Sequence, residues 1–115
     1  MPVMVIIHAP KVTPLQYEAV RDQVGWVETP AVGAISHAIA FTDAGAVEVN
    51  LWESREAFDT YFATRLKSVL QAFGIQLDDI QVLDTHTVAV GEPCLAYLVP
   101  TSAGAAKASV LVTAH

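Results

Sequence analysis

Residues 47–58 read Val-Glu-Val-Asn-Leu-Trp-Glu-Ser-Arg-Glu-Ala-Phe, and their hydrophobic period changes halfway along. Up to Trp52, aliphatic residues alternate with other residue types, which is the period of a β-strand. From Phe58 onward, apolar residues recur every three or four positions, which is typical of an amphipathic helix. Ser54 lies at the change and is a favourable N-cap, because its hydroxyl can accept from a free backbone N–H. The stretch therefore predicts one strand that leads into one helix through a very short turn.

The predicted strand has two unlike faces. Its aliphatic face is expected to lie against helices. Its other face carries Glu48, Asn50 and Trp52, which are polar or have one polar atom. Such a face is either solvated or lines a cavity, and the residues alone leave both possibilities open.

The flanking segments predict the remaining elements of one α+β domain. Thr13, Pro14 and Gln16 form a helix start, with an N-cap, a proline at the first helical position and a capping box. Strands are predicted at 3–8, 34–41, 47–52 and 80–90, and helices from 14 to about 26 and from 55 to 73. The order β-α-β-β-α-β over residues 1–90 predicts a ferredoxin-like fold, with an antiparallel sheet and both helices on one face.

Residues 91–115 are predicted to form a C-terminal extension. Residues 94–99 favour a fifth strand, and residues 110–112 favour a short β-segment after a flexible stretch rich in small residues. The extension either pairs with a partner subunit or is a frayed terminus.

Composition and charge exclude several classes of partner. The chain has 115 residues, enough for one domain, and 53% are hydrophobic, which agrees with burial of some surface between subunits. A net charge of −6 with only six Lys and Arg argues against nucleic-acid binding. No membrane association is expected, because no apolar run is long enough to span a bilayer. No signal peptide is expected, because the N-terminus lacks a basic region and a long apolar run that ends in a cleavage site. The single cysteine, Cys94, excludes an internal disulfide and agrees with a cytoplasmic location.

Histidines are the clearest candidates for proton chemistry. His8, His37 and His86 each lie in a predicted strand, and the strands of one sheet can converge on one cavity. Histidine is the side chain best suited to move protons near neutral pH, so these three are candidate catalytic residues. A hydrogen-bonded structural role is the alternative for each. No metal site is expected, because the histidines are not closely spaced and Cys94 is isolated.

The motif Leu-Trp-Glu-Ser-x-x-Ala-Phe-x-x-Tyr-Phe at residues 51–62 resembles the junction of the third strand and second helix in the antibiotic biosynthesis monooxygenase-like family. That family belongs to the dimeric α+β barrel superfamily, and the predicted element order also matches it, over residues 2–90. The resemblance implies a homodimer in which the sheets of two subunits close into a barrel. It also implies a ligand cavity in each subunit, lined by the sheet face opposite the helices.

The resemblance further implies a cofactor-independent monooxygenase that acts on an aromatic or polyketide-like substrate, as in secondary metabolism. Removal of a substrate proton would give an electron-rich anion that reduces O₂ directly. Trp52 matches by motif position and would stack on the substrate, with Glu48 and Phe41 as further substrate-binding candidates. Asn50 is compatible in type with the asparagine that such enzymes use, and strand alternation rather than the motif selects it as a catalytic candidate.

No cofactor is expected. A P-loop, a dinucleotide glycine motif and a nucleophile elbow are absent from the sequence. Some proteins that the chain resembles degrade haem, using a histidine on the second helix and an asparagine on the first strand. Residues 55–73 contain no histidine and the first strand contains no asparagine, which argues against haem degradation.

Two other functions remain open. The first is a cofactor-free cyclase or isomerase that uses His8, His37 or His86 as general base. The second is a non-catalytic dimer that binds a ligand or is purely structural. Because one superfamily fold supports many chemistries, the fold alone cannot choose among them.

Overall fold

A computed structural model describes residues 1–99, which form a four-stranded sheet with helices packed on one face. The elements are, in chain order, β1 (Val3–Pro10), α1 (Pro14–Val24), β2 (Ala34–Thr42), β3 (Gly45–Trp52), α2 (Arg55–Tyr61), a π-helical turn (Phe62–Leu66), α3 (Lys67–Ala72), β4 (Asp79–Asp84) and a 3-10 helix (Glu92–Tyr97). The strands are ordered β2-β3-β1-β4, and each neighbouring pair is antiparallel. This arrangement confirms the predicted ferredoxin-like α+β fold.

The helices begin where the sequence predicts. Thr13 and Gln16 form the capping box of α1, and the Ser54 hydroxyl accepts from the Ala57 N–H at 3.1 Å at the start of α2. The second predicted helix is not regular, because the π-helical turn separates α2 from α3. Such turns occur frequently at functional sites. No helix within residues 1–99 is long and apolar enough to cross a membrane.

The pairing register reverses the predicted orientation of β3. Trp52 pairs with Val3 and Asn50 with Val5, and all four residues are at most 5% exposed on the helix-covered face. The prediction that the aliphatic face of β3 lies against the helices is therefore wrong. Only two residues separate Trp52 from α2, so its indole packs directly against Phe58 of that helix, with ring centroids 5.8 Å apart. An indole buries more apolar surface there than a valine would.

The aliphatic residues of β3 lie on the opposite face of the sheet. Together with side chains of β1 and β4 they form a half-buried to exposed apolar surface. This apolar outer face consists of Met4, Ile6, Val47, Val49, Leu51 and Leu83. Its exposure agrees with the predicted packing of a second subunit, which stays a prediction.

The segment after β4 differs from the predicted fifth strand. Residues 85–91 have no regular structure, and Glu92–Tyr97 form a 3-10 helix. Pro93 favours this outcome, because its fixed φ suits a first helical turn and it has no N–H for a sheet ladder. The predictions for residues 110–112, and most of the predicted C-terminal arm, lie outside the described residues.

Candidate active site

A cavity of about 500 Å³ lies between the sheet and the helices. This volume is within the roughly 300–1,000 Å³ typical of small-molecule sites. The prediction that the cavity is lined by the sheet face opposite the helices is wrong, because the register directs Glu48, Asn50 and Trp52 toward the helices. Beside this cavity, α1 packs on α3 through Val20 and Leu70 and contacts β2 through Tyr17.

His37 on β2 is the centre of a polar cluster on the cavity surface. Its Nε2 lies 2.9 Å from Tyr17 Oη on α1. Its Nδ1 lies 2.8 Å from Glu48 Oε1 and 2.7 Å from Asn50 Oδ1, both on the neighbouring strand β3. Asn50 is opposite His37 in the strand register, which explains why the two side chains meet.

The hydrogen-bond partners determine where the protons of His37 lie. Nδ1 is next to two oxygen acceptors, so it carries a proton and donates to Glu48 and Asn50. In the neutral imidazole, Nε2 then accepts from the Tyr17 hydroxyl. When His37 takes up a second proton, the direction reverses and Nε2–H donates to Tyr17 Oη.

The surroundings of His37 raise its pKa above the ordinary value of 6.5. Burial acts in the opposite direction, because it disfavours the charged imidazolium. The hydrogen bond and negative charge of Glu48, with the hydrogen bond to Asn50, outweigh burial. The site is therefore built to accept a proton and to stabilise the imidazolium that results.

Two tyrosines of the site stay protonated near neutral pH. Burial, followed by the negative charge of Glu48, raises the pKa of Tyr17, and Arg21 offsets this only in part. Burial raises the pKa of Tyr61 to about 12, with a further contribution from Glu48. The Tyr61 hydroxyl is therefore available as a neutral hydrogen-bond donor, whereas the Tyr17 proton is already donated to neutral His37.

Aromatic side chains form much of the rest of the cavity surface. The ring of Trp26 lies 5.0 Å from that of His37, and Trp52 lies 5.1 Å from Tyr61. Trp52 Nε1 is buried and has no hydrogen-bond partner among the described residues. Arg65, from the π-helical turn, lies 5.7 Å from the centre of the Tyr61 ring and thereby supports its position. These rings suit a flat aromatic ligand, and the Tyr61 hydroxyl suits one that carries an oxygen acceptor.

The predicted site residues divide into two groups. His37, Asn50, Glu48 and Trp52 all line the cavity. Phe41 does not line it but packs edge-on against Tyr17, with ring centroids 6.0 Å apart.

The other two predicted catalytic histidines are not at the cavity. His8 is exposed and lies on the same sheet face as the apolar outer face, and His86 is exposed after the end of β4. The prediction that three histidines converge on one cavity is therefore wrong. Strand parity places His8 on the outer face, and β4 ends before His86 is reached.

Three aromatic residues of the site were missed as functional candidates. Tyr17 and Tyr61 belong to the apolar stripes of their helices, where a tyrosine looks like a core residue. Trp26 follows the glycine that ends α1. The only available signal was the polar tip of each ring, since a buried Tyr or Trp usually needs a hydrogen-bond partner.

Residues 1–99, as the structure describes them, do not form a site for a metal or for iron-bound haem. No three His, Cys, Asp or Glu side chains of residues 1–99 are grouped so that they could hold a metal ion. His37 is the one histidine among the described residues that line the cavity, and both of its ring nitrogens already have partners. Coordination of iron would require one of these hydrogen bonds to break.

Solved structures with the same fold include three with a stated relation to oxygenases or porphyrin. A protein from Chloroflexus aurantiacus, provisionally named antibiotic biosynthesis monooxygenase, is 17% identical, with a TM-score of 0.53 over 79% of this chain and 100% of that one. A variant of SnoaB, a cofactor-independent oxygenase from Streptomyces nogalater, is 14% identical, with a TM-score of 0.57 over 78% and 97%. A variant of MhuD with manganese protoporphyrin IX bound is 13% identical, with a TM-score of 0.52 over 79% and 100%.

These likenesses establish the fold. The chain has the α+β fold of antibiotic biosynthesis monooxygenase-like proteins, as the motif at residues 51–62 predicts. No protein-family model and no curated protein matches the sequence.

Proposed function

We propose that the protein is a cofactor-independent monooxygenase that deprotonates and then oxygenates an aromatic or polyketide-like small molecule in the helix-covered cavity. The supporting observation is His37, held by Tyr17 on one ring nitrogen and by Glu48 and Asn50 on the other, at the surface of an aromatic-lined cavity. A fold shared with a cofactor-independent oxygenase agrees with this proposal, although a fold does not carry an activity by itself.

The proposed reaction starts with proton removal. His37 is the final acceptor of a proton from an acidic C–H or O–H of the substrate, and the bonding electrons stay on the substrate. The anion reduces O₂ and forms a C–O bond, and the resulting peroxide takes up the proton from His37. Neutral His37 then takes the second C–H proton as the O–O bond breaks, which gives a carbonyl and hydroxide, and the hydroxide takes this proton from His37 to become water. A CH₂ group and O₂ thus become a C=O group and H₂O.

Donors around the cavity are proposed to hold the oxygen on which negative charge develops. Tyr61 lines the cavity and keeps its phenolic proton, and the buried Trp52 Nε1–H, which has no partner among the described residues, would become a second donor after a small shift of its neighbours. Hydrogen bonds from such fixed donors stabilise an enolate more than a neutral ketone, so they lower the barrier to proton removal. The aromatic surfaces of Trp26 and Trp52 would hold the ring system.

A cyclase or isomerase is the second candidate, because the His37 cluster needs no oxygen to move a proton. In that reaction the imidazolium returns the proton to another atom of the same substrate. The two candidates share the cavity and the base, and they differ in whether O₂ is consumed. A ligand-binding protein without catalysis would share only the cavity.

We propose that two copies of the chain associate through the apolar outer face. Six apolar side chains lie on this face, and Val49 and Leu83 are 36% and 48% exposed. Contiguous apolar surface of this kind is typical of protein–protein interfaces. The proposed homodimer leaves the catalytic cavity within each subunit. A cytoplasmic location stays a prediction.

Oxygen uptake with dithranol, a hydroxylated polycyclic ketone with an acidic CH₂ group, tests the proposed function. The wild-type protein is expected to consume O₂ faster than the spontaneous reaction does, with formation of the quinone. His37→Gln is expected to lower the rate at least ~100-fold, the usual contribution of a general base. Conversion of the substrate without O₂ uptake would favour the isomerase, and binding without conversion would favour the ligand-binding protein.

A further inference from the structure

We propose that Tyr17, and not His37, is the side chain that meets the substrate, and that Tyr17 passes the substrate proton to His37 while Glu48 and Asn50 position the imidazole. This Tyr17–His37–Glu48 relay rests on the proposed function only in treating the cavity as a substrate site.

Both nitrogens of His37 are already engaged. Nε2 faces Tyr17 Oη at 2.9 Å, and Nδ1 faces the two oxygens of β3 at 2.7 and 2.8 Å. The ring planes of Tyr17 and His37 are within 8° of parallel, and Trp26 packs against the imidazole from another direction. Only 21% of the His37 side chain is exposed. A substrate that approached His37 directly would have to displace Tyr17 from Nε2.

Tyr17 has the free acceptor capacity that His37 lacks. Its hydroxyl has one proton, which it donates to His37 Nε2, and a remaining lone pair that can accept from a substrate. Tyr17 also lines the cavity from α1, opposite the strands that carry the rest of the cluster. The atom that a substrate X–H group can reach is therefore Tyr17 Oη.

The relay moves two protons in one direction. The substrate X–H bond breaks, its electron pair stays on the substrate, and the proton binds Tyr17 Oη. At the same time the original hydroxyl proton of Tyr17 moves to His37 Nε2. Tyr17 ends as a neutral phenol, and the new imidazolium faces the Glu48 carboxylate. A concerted transfer avoids a tyrosinate, which burial and Glu48 disfavour, as the raised pKa of Tyr17 indicates.

Charged and titratable groups reach the relay from three sides. Glu48 lies on β3, Arg21 lies on α1, and Tyr61 lies at the end of α2. Arg21 lowers the pKa of Tyr17, but burial and Glu48 outweigh it. The pKa of Tyr61 is raised to about 12, so Tyr61 stays a neutral phenol and does not compete for the transferred proton.

Binding of para-nitrophenol tests the relay, because its phenolate is yellow and its phenol is colourless. Both tryptophans of the chain line the cavity, so quenching of their fluorescence measures binding independently of ionisation. The pH is set just above the His37 pKa measured by NMR, where the imidazole is neutral, and the yellow colour of the free ligand at that pH is subtracted. The wild-type protein is expected to quench and to turn the bound ligand yellow. Tyr17→Phe is expected to quench with no more yellow than free ligand.

Glu48→Gln tests the positioning role. It is expected to bind the ligand and to give about tenfold less phenolate per bound ligand, because the His37 imidazolium loses the charged hydrogen-bond acceptor that stabilises it. Glu56→Gln, an exposed glutamate on α2, is the matched control and is expected to behave like the wild type.

Three results would overturn the relay. They are a wild-type protein that does not quench, one that quenches without yellow, and a Tyr17→Phe variant that ionises the bound ligand as fully as the wild type. Failure of the proposed function looks different. A protein that ionises para-nitrophenol through Tyr17 but does not consume O₂ with dithranol keeps the relay and loses the monooxygenase assignment.

Discussion

Nδ1 of His37 lies 2.8 Å from Oε1 of Glu48, and the two side chains are 21% and 22% exposed. They extend from neighbouring strands on the helix-covered face. Glu48 is more than a binding group, because its charge raises the pKa of the imidazole that accepts the proton.

The first prediction concerns pH dependence. His37 accepts a proton only when neutral, and its pKa is raised above 6.5, so kcat/KM should increase as the pH passes above that raised value. Glu48→Gln removes the main raising cause and leaves burial, which lowers the pKa. The ascending limb should therefore move to lower pH in this variant. The His37 pKa, measured by NMR titration of its ring protons, should move in the same direction.

The matched control for this prediction is Glu56→Gln, which should leave both the pH profile and the His37 titration unchanged. An unchanged His37 pKa in Glu48→Gln would show that the carboxylate does not act on the imidazole.

The second prediction concerns the face on which Trp52 lies. Trp52 is 3% exposed in the core formed with Val3, Val5, Ile7 and Phe58. Trp52→Ala should therefore lower the free energy of unfolding by about 3–5 kcal/mol, as measured by urea denaturation. Trp26→Ala should lower the free energy of unfolding by clearly less, since Trp26 is only half-buried. Equal costs for the two substitutions would contradict the observed packing.

The third prediction concerns association. Val49 is 36% exposed at the centre of the apolar outer face, between Ala38 and Ile6. Val49→Asp would bury an unpaired charge in the proposed interface, so it should convert a dimer to a monomer in sedimentation velocity. Its circular dichroism should stay that of the wild type, because Val49 is not part of the helix-covered core.

Ser68→Asp, on the exposed surface of α3, is the control and should sediment as a dimer like the wild type. A wild-type protein that sediments as a monomer would rule out the proposed homodimer.

The fourth prediction uses the single cysteine of the chain. Cys94 is half-buried in the 3-10 helix and lines the cavity. A bound aromatic ligand should therefore slow alkylation of Cys94 by iodoacetamide in proportion to the occupied fraction of the cavity. Mass spectrometry measures the rate of alkylation. Alkylation at the same rate with saturating ligand would show that the segment after β4 does not border the occupied site.

Local signals in the sequence predicted the elements well. Thr13 and Ser54 are cap residues with a direct hydrogen-bonding role, so the helix starts follow from the chain itself. The alternation of residues 47–52 correctly predicted a strand, and the element order correctly predicted the antiparallel sheet. These features depend on neighbours in sequence.

The orientation of β3 depends on partners distant in sequence. Both of its faces carry residues that can be buried, so alternation could not show which face meets the helices. Packing of Trp52 beneath α2 decides the orientation and directs Glu48 and Asn50 into the cavity. For the same reason His37 could be predicted as a candidate, but its contact with Tyr17 could not, since 20 positions separate them.

The most direct test of the central claim is a crystal structure of the protein with the quinone formed from dithranol. We predict that the ring system lies between the sheet and the helices, bordered by Trp26 and Trp52, with one hydroxyl group of the hydroxylated quinone within hydrogen-bonding distance of Tyr17 Oη. A ring system on the apolar outer face, or a cavity closed by its own side chains, would contradict the proposed catalytic site.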